Sequence, residues 1–403
     1  MTLTGPETTH SPALSTVPAL DGLRGLAVAG VVLTHGAFMT GFGASGGLVG
    51  RLFARGDYGV SLFFALSGFL LYRGLTVTAA RTGRLDLRGY AARRAARVLP
   101  AYWLTLAVVV LIVDPEPRSS VLNALGIQIY VPDGAIPAFG QAWSIATELS
   151  FYAALPFVVM LLGWLRRRRP NGPMAVLATA LVVMSLIPLL TGPASYGEDL
   201  LLERWLPWRA PHFLIGMVCA EALAVPHHPL AAALARRARD RVGCTAVAAA
   251  SYLAATTPLA GPLDLQPAYG FTLLMRVLCA TVMAGALLVP VVLAPPSSPT
   301  HPLAHPVARW LGSISYGVFL WHLPVFTALF ALSGVAYFRG GLSPLLAIGV
   351  PITLFLGFLS LHLVELPASR GVARLLARRR QGGHRHHGDD RQPDAALQPG
   401  RAE

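Results

Sequence analysis

Long apolar runs separated by short polar or charged connections make up most of this chain. Several of these runs approach or exceed the roughly 20 residues that an α-helix needs to cross a bilayer. The pattern predicts an all-α fold, a bundle of about ten transmembrane helices. The predicted spans are 18–40, 58–75, 98–113, 143–165, 173–191, 206–225, 243–260, 269–293, 310–334 and 343–366.

The composition agrees with a membrane protein. The chain has 403 residues, a mean hydropathy of +0.57 and 13% charged residues, whereas a soluble globular domain carries about 25% charged residues. The N-terminal residues lack a basic region and no small-residue cleavage site follows the first span, so we interpret that span as a retained helix. We expect a multi-pass protein of the plasma membrane.

The charges between the spans predict the topology. The formal net charge is +13, and the arginines are concentrated in every second connection, for example at 73–97, 166–169 and 236–241. Acidic residues predominate in the other connections. Because cytoplasmic loops retain positive charge, this bias predicts that both termini are cytoplasmic. The net charge is therefore mainly a topology signal, and no nucleic acid partner is predicted.

The same pattern divides the chain into three parts. We predict a cytoplasmic N-terminal segment at 1–17, a transmembrane domain at 18–370 and a disordered cytoplasmic tail at 371–403. The apolar piece at 121–131 predicts a loop or a re-entrant segment. The three cysteines show no metal-ligand spacing, so no metal site is predicted.

The first span carries three ionisable residues into the membrane, Asp21, Arg24 and His35, in the stretch LDGLRGLAVAGVVLTHG. Arg24 and His35 are close to three helical turns apart, so they share a face and lie roughly 16 Å apart along the axis. Alternatively, Arg24 extends to the membrane surface and Asp21 is an ordinary N-cap. A histidine in mid-span needs a hydrogen-bonding partner, so we predict a functional cavity lined by protein.

A cluster of arginines precedes the third span in the stretch RGYAARRAARVLPAYW. Arg93 and Arg97 share a helical face, and Arg94 lies next to that face. Such a cluster binds anionic lipid or holds a multiply charged ligand through bidentate phosphate contacts. This segment alone does not distinguish the two interpretations. In the second span, Ser67 and Gly68 belong to a small-residue face that favours close helix packing.

Further polar side chains lie in the later spans. Glu148 is inside the fourth span, where a carboxylate has to be protonated, paired or solvated by a cavity. The ninth span places Ser315 and His322 on one face, with Tyr316 beside Ser315 and the histidine at mid-membrane depth, opposite the histidine of the first span. Glu365 ends the tenth span near the cytoplasmic surface, where an arginine could pair with it. These residues are cavity candidates, and structural pairing is the alternative.

Taken together, these segments resemble the acyltransferase-3 family of integral membrane O-acyltransferases. The resemblance rests on the spacing of Arg24 and His35, on the segment GVSLFFALSGFLL, and on the Arg94-x-x-Arg97 motif before LPAYW. It also rests on WSIATELSFY, PHFLIG, SYGVFLWHLP and VELP. These segments occur in family order over about residues 18–370, and their combination is specific although most are loose individually.

The resemblance implies transfer of an acyl group, often acetyl, from acyl-CoA as a co-substrate to a sugar hydroxyl, with no permanently bound cofactor. It implies acceptors among cell-envelope polysaccharides and glycosylated natural products such as macrolides. His35 matches the family's candidate catalytic residue, Arg24 matches its essential partner, and Arg94 and Arg97 match the acyl-CoA side. Some members carry an extra extracytoplasmic domain that is not recognised here, which favours the stand-alone type that includes antibiotic-modifying enzymes.

The residues agree with this chemistry. Coenzyme A carries several phosphate charges, and the predicted cytoplasmic face offers clustered arginines. Neutral His35 would act as general base on an acceptor hydroxyl or form an acyl-histidine. Asp21 or Glu148 would orient or stabilise the imidazole. Ser315, Tyr316 or main-chain donors would stabilise the oxyanion.

Two other classes of protein fit part of the pattern. A secondary transporter also uses ten or so helices with intramembrane His, Glu and Arg, but it should show internal repeats and paired broken helices. Neither is clear in this sequence. A non-catalytic scaffold would not explain ionisable residues on shared faces of three spans.

Overall fold

A computed structural model of the chain describes residues 17–192, 202–263, 266, 268–294 and 302–386. Helices joined by short turns make up these residues, and no β-strand occurs among them. The helices are α1 (Pro18–Thr40), α2 (Phe42–Ser45), α3 (Gly47–Ala54), α4 (Tyr58–Thr82), α5 (Leu87–Val113), α6 (Pro117–Leu125), α7 (Trp143–Arg168), α8 (Gly172–Leu186), α9 (Leu206–Ala224), α10 (Pro229–Arg239), α11 (Arg241–Ala255), α12 (Gly270–Leu293), α13 (Pro306–Ser333), α14 (Leu342–Ser360) and α15 (Leu366–His386).

Shorter helical turns connect these elements. A π-helical turn over Leu361–Glu365 joins α14 to α15. The 3-10 turns are Arg55–Asp57, Gln128–Tyr130, Pro137–Ala142, Ile187–Leu190, Leu202–Arg204, Pro258–Ala260 and Pro302–Ala304.

The predicted helical membrane bundle is confirmed. Within the described part of the chain, eight helical stretches are long and apolar enough to cross a bilayer, and a bent pair would make a ninth. That pair is Leu202–Ala224 with Pro229–Arg239, which meet at 101° and include the predicted span 206–225. The orientation of the termini stays a prediction.

The predicted span 243–260 is longer than the helix that forms there. Helix α11 has 15 residues and measures about 22 Å, less than the roughly 30 Å of a bilayer core. The apolar composition continues beyond Ala255, but Pro258 follows closely and starts a separate 3-10 turn. Proline restricts the residue before it to extended conformations, so the helix does not continue through that point.

The arginine cluster and the third predicted span form one continuous helix, α5, of 27 residues. Its N-terminus is capped by Asp86, whose carboxylate accepts a hydrogen bond of 2.8 Å from the Gly89 main-chain N–H. The segment 121–131 then folds back along this helix. Tyr102 donates its O–H to the Asn123 carbonyl oxygen at 2.7 Å.

Residues 371–386, where the sequence placed the start of the tail, continue α15. The Arg, Ala and Leu residues that predominate there are strong helix formers, and this preference outweighs the low apolar content. The segments 1–16 and 387–403, which the sequence assigned to the N-terminal segment and the tail, lie outside the described residues.

Close contacts at glycine hold the central helices together. Helix α1 packs along α13 at Gly312, where a Cβ atom would collide with the Asp21 carbonyl group. Helix α4 packs on α9 at Gly68, which touches the main chain of Phe213, as the small-residue face predicted. In a membrane, such glycines allow the close packing on which helix association depends.

Candidate functional site

Five helices, α1, α4, α5, α7 and α13, surround a cavity with about 140 Å³ of space open to the centres of water molecules. We call it the arginine cavity. Its polar and charged lining residues are Arg24, Ser67, Arg94, Arg97, Ser144, Glu148, Tyr152, Ser315 and Tyr316. Six candidate site residues from the sequence therefore meet here, from three predicted spans and the arginine cluster.

The charges of the cavity favour an anionic ligand. Three guanidinium groups, those of Arg24, Arg94 and Arg97, face one lining carboxylate, that of Glu148. Arg24 is held by Asp21, with 2.6 Å between Nη1 and Oδ1. The Nε of Arg94 is buried and has no hydrogen-bond partner among the described residues. An unused donor next to two further guanidinium groups suits phosphate or carboxylate oxygens.

Glu148 is fixed on the α4 side of the cavity. The Ser67 hydroxyl donates to its Oε1 at 2.5 Å, and the charges of Arg94 and Arg97 act on the same carboxyl group. The sequence predicts Ser67 only as part of a packing face, so its bond to Glu148 is a finding of the structure. The available signal was the presence of Ser67 and Glu148 in apolar spans, where each polar group needs a partner.

Arg93 does not belong to this group. Its Nη1 lies 3.8 Å from Asp86 Oδ2, and 41% of its side chain is exposed. Consecutive helical residues point about 100° apart, so the rotation of α5 that turns Arg94 into the cavity turns Arg93 toward the N-cap. The three predicted arginines therefore divide into two that line the cavity and one outside it.

The predicted oxyanion donors use their protons elsewhere. Ser315 donates its hydroxyl to the Gly312 carbonyl oxygen at 2.8 Å, and Tyr316 donates to the Val98 carbonyl oxygen at 2.9 Å. A hydroxyl group has a single proton. Both residues line the cavity, but in this arrangement they present acceptor oxygens rather than donors, so the oxyanion assignment is not supported.

Glu365 lies apart from the lining of the arginine cavity. It is 1% exposed and sits in the π-helical turn, where the Ser360 hydroxyl donates to its Oε1 at 3.2 Å. The charge of Arg97 acts on it, although no salt bridge within 4 Å joins them in the described structure. Arg97 therefore acts on Glu365 through its charge without forming the predicted ion pair.

His35 faces His322, at a separate place from the arginines. The distance from His35 Nδ1 to His322 Nε2 is 3.1 Å, and the ring centroids are 4.8 Å apart. We call these two residues the histidine pair. His322 is completely buried and His35 is partly exposed. The sequence assigned the orientation of this imidazole to Asp21 or Glu148, but those carboxylates bind Arg24 and Ser67.

An aromatic wall separates the two places. Phe319 lines the arginine cavity, and its ring centroid lies 5.9 Å from that of His322. The ring of Phe63, which also lines the cavity, meets Phe319 edge-on at 6.2 Å. Phe319 therefore contacts both the lining of the arginine cavity and the ring of His322.

Asp57, in the turn before α4, is a charged residue close to α1 that sequence reasoning missed. Its charge acts on His35, and its Oδ1 is buried without a hydrogen-bond partner in the part of the chain that the structure describes. In the sequence it appeared as an acidic residue of a connection. Only the turn Arg55–Asp57, which packs against α1, brings it close to the site.

A second cavity, of about 330 Å³, lies further along α7. Its polar lining residues are Asn123, Gln128, Asp133, Trp143 and Arg204. Trp143 starts α7 and comes five residues before Glu148, so the two cavities follow one another along this helix. The turn Pro137–Ala142 lines this second cavity. Its Gln141 side chain donates to the Leu320 carbonyl oxygen at 2.7 Å, two residues before His322.

Comparison with known proteins agrees with the resemblance. Residues 17–362 match the sequence model of the acyltransferase-3 family, described as an acyltransferase domain. YrhL of Bacillus subtilis, a candidate peptidoglycan O-acetyltransferase, is 26% identical over 385 residues, which cover 90% of this chain and 56% of YrhL. The peptidoglycan O-acetyltransferase OatA of Listeria monocytogenes is 26% identical over 335 residues, or 77% of this chain and 49% of OatA.

The O-acetyltransferase OatA of Staphylococcus aureus is 29% identical over 214 residues, which cover 47% of this chain and 33% of that protein. The chain thus spans about half the length of the first two relatives and matches a third of this one. No solved structure matches the chain.

Proposed function

Because this chain belongs to the acyltransferase-3 family of integral membrane proteins, we propose that it moves an acyl group from acyl-CoA to a hydroxyl of a cell-envelope polysaccharide. The convergence of Arg24, Arg94 and Arg97 on one cavity carries the proposal. The names of the first two relatives refer to peptidoglycan O-acetylation, which supports acetyl as the acyl group and a glycan as the acceptor.

The donor binds through its phosphates at the arginine cavity. Guanidinium groups bind phosphate oxygens in bidentate fashion, and Arg94 Nε is an unused donor. About 140 Å³ is small beside the roughly 300–1,000 Å³ of a typical ligand pocket. We therefore expect the phosphates at the arginines and only the thioester arm inside, directed past Phe319.

His35 carries the chemistry. Its imidazole takes the proton of the acceptor hydroxyl while the hydroxyl oxygen attacks the thioester carbonyl carbon. The C–S bond breaks, and the proton passes to the leaving sulfur, so the products are an O-acyl ester and free coenzyme A. In the alternative route, an imidazole nitrogen of His35 attacks the thioester carbonyl carbon and the C–S bond breaks. The acyl group then passes from that nitrogen to the hydroxyl oxygen, and the hydroxyl proton goes to the thiolate of coenzyme A.

The acceptor approaches from the second cavity. Amide, carboxylate, guanidinium and indole groups line it, and such groups bind the hydroxyls and apolar faces of sugars. Its wall is hydrogen-bonded to α13 at Leu320, close to His322. A sugar bound there would lie close to the helix that carries His322.

Reconstituted protein tests the proposal. Proteoliposomes receive acetyl-CoA labelled in the acetyl group and soluble peptidoglycan fragments, and the alkali-labile label on the fragments is measured. Label on the glycan above protein-free vesicles is expected. No label transfer from acetyl-CoA, with protein that is monodisperse in detergent, would exclude acyl-CoA as the donor for this acceptor.

A comparison of cells with and without the protein then identifies the natural acceptor. Intact masses of envelope glycans and of small glycosylated metabolites are measured in both. A mass difference of one acyl group on the glycan supports the polysaccharide acceptor. The same difference on a small molecule instead would keep the acyl transfer and replace the polysaccharide by a glycosylated natural product.

A further inference from the structure

Two main-chain carbonyl groups determine where the protons of the histidine pair lie. His35 Nδ1 is 2.9 Å from the Val31 carbonyl oxygen and 3.1 Å from His322 Nε2. His322 Nδ1 is 3.2 Å from the Val318 carbonyl oxygen. A carbonyl oxygen only accepts hydrogen bonds, so each Nδ1 carries a proton.

The remaining nitrogens follow from this assignment. In a neutral His322 with its proton on Nδ1, the Nε2 atom has a lone pair, and that lone pair faces the Nδ1–H of His35. His35 shares this proton between two acceptors, and its own Nε2 keeps a lone pair. With the opposite tautomer of His35, a lone pair on Nδ1 would face the Val31 oxygen and a second lone pair on His322.

We propose that His322 is a positioning residue, whose Nε2 accepts the Nδ1 proton of His35 and so keeps His35 Nε2 available as the base of the reaction. This role rests on the proposed function. When His35 takes a proton from the acceptor hydroxyl, its bond to His322 becomes charge-assisted and stronger. His322 is 0% exposed, so water does not compete for its nitrogen.

The surroundings of the pair isolate this effect. The rings of Phe319 and Phe326 flank His322 at centroid distances of 5.9 and 6.2 Å. Asp57, in the turn that packs against α1, is a carboxylate whose charge acts on His35. A change at His322 therefore reaches the reaction through His35, with Asp57 left unchanged.

Two substitutions of His322 separate positioning from packing. His322→Leu fills a similar volume without an acceptor, whereas His322→Gln offers a side-chain oxygen near the position of Nε2. We expect kcat for acetyl transfer to fall about ten- to a hundredfold in His322→Leu, the loss of one charge-assisted bond, with the KM for acetyl-CoA unchanged. His322→Gln should recover most of the loss.

The pH profile gives a readout that packing alone would not move. The base acts when neutral, so kcat rises with pH to a plateau. In His322→Leu the charged form of His35 loses its acceptor, so the midpoint should move to lower pH, and His322→Gln should move it back. Wild-type kcat and an unchanged midpoint in folded His322→Leu would overturn the inference, as would an equally inactive but folded His322→Gln.

The resting protein offers an independent test. Nitrogen-15 NMR of histidine-labelled protein, with His35 assigned by its absence in His35→Ala, should show a proton on Nδ1 and none on Nε2. In His322→Leu the Val31 carbonyl oxygen remains as the acceptor of the Nδ1 proton, so the tautomer should be kept while the Nδ1 signal shifts, and in His322→Gln the signal should return toward its wild-type position. A proton on Nε2 of His35 in the wild type overturns the inference even if acyl transfer is active. Absent transfer with the expected tautomer overturns only the proposed function.

Discussion

The arginine cavity and the histidine pair share helices α1 and α13, yet they are built in opposite ways. At the cavity, five helices bring charged side chains around open space. At the histidine pair, two rings fill the space between two helices and bond to the carbonyl groups of those same helices. The first place offers charge and room, and the second offers a nitrogen base without room.

This difference divides binding from chemistry along one helix. On α1, Arg24 faces the cavity and His35 faces His322, roughly 16 Å apart along the axis. One group of a substrate cannot contact both residues, so substitutions at the two places should affect different kinetic parameters. Substitutions at the cavity should change KM for the donor, and substitutions at the pair should change kcat.

The largest effect is expected for His35→Ala, which removes the base and leaves the cavity intact. Acyl transfer should fall by about 10²- to 10⁴-fold, the usual contribution of general base catalysis, while acetyl-CoA binding stays at the wild-type level. Initial rates and equilibrium binding of acetyl-CoA measure the two. The matched control is His227→Ala, at an exposed position between α9 and α10. Near-normal turnover in His35→Ala would remove His35 from the catalytic role.

The next effect belongs to the cavity. In the double variant Arg94→Ala with Arg97→Ala, the KM for acetyl-CoA should rise by about tenfold for each lost charge-assisted contact, with a smaller change in kcat. Arg93→Ala is the control on the same helix, because that side chain lies outside the cavity. A KM that rises as much in Arg93→Ala as in the double variant would mean that the bulk charge of the helix, and not this cavity, attracts the donor.

A third substitution acts on both places through the α1–α13 contact. A methyl group in Gly312→Ala would collide with the Asp21 carbonyl, so the variant should lose about 1–3 kcal/mol of stability, as overpacked sites do. Gly163→Ala in α7 is the control, because nothing lies near its added Cβ and alanine favours helix by about 0.5–1 kcal/mol. Thermal unfolding in detergent measures both. An unchanged midpoint in Gly312→Ala would show that the helices can separate there.

The sequence was sufficient to find most members of both places. Charged groups in apolar spans are tolerated only around a shared polar space, which is why Arg24 and Glu148 could be chosen before the fold was known. Arg94 and Arg97 followed instead from their clustering and from the family resemblance. The similar depth of His35 and His322 in their spans also predicted that the two histidines face each other.

The orientation of individual groups could not be predicted. Arg93 and Arg94 are neighbours in sequence, but the rotation of α5 about its axis decides which one meets the cavity, and a run of apolar residues does not fix that rotation. The hydroxyl of Tyr316 donates to the Val98 carbonyl oxygen because packing brings that oxygen within reach. Asp57 approaches His35 only through the turn before α4.

The smallest effect tests the wall between the two places. Phe319→Leu removes an aromatic ring that contacts both Phe63 and His322, and it should let water from the arginine cavity reach the thioester near His35. We expect acetyl-CoA hydrolysis to increase a few-fold relative to transfer, because a closed site protects reactive groups from water. The ratio of coenzyme A released to ester formed measures this, with Phe157→Leu as control, since that ring is 68% exposed on α7. An unchanged ratio would mean that the wall does not keep water from the thioester, and that the separation of binding from chemistry depends on distance along α1 alone.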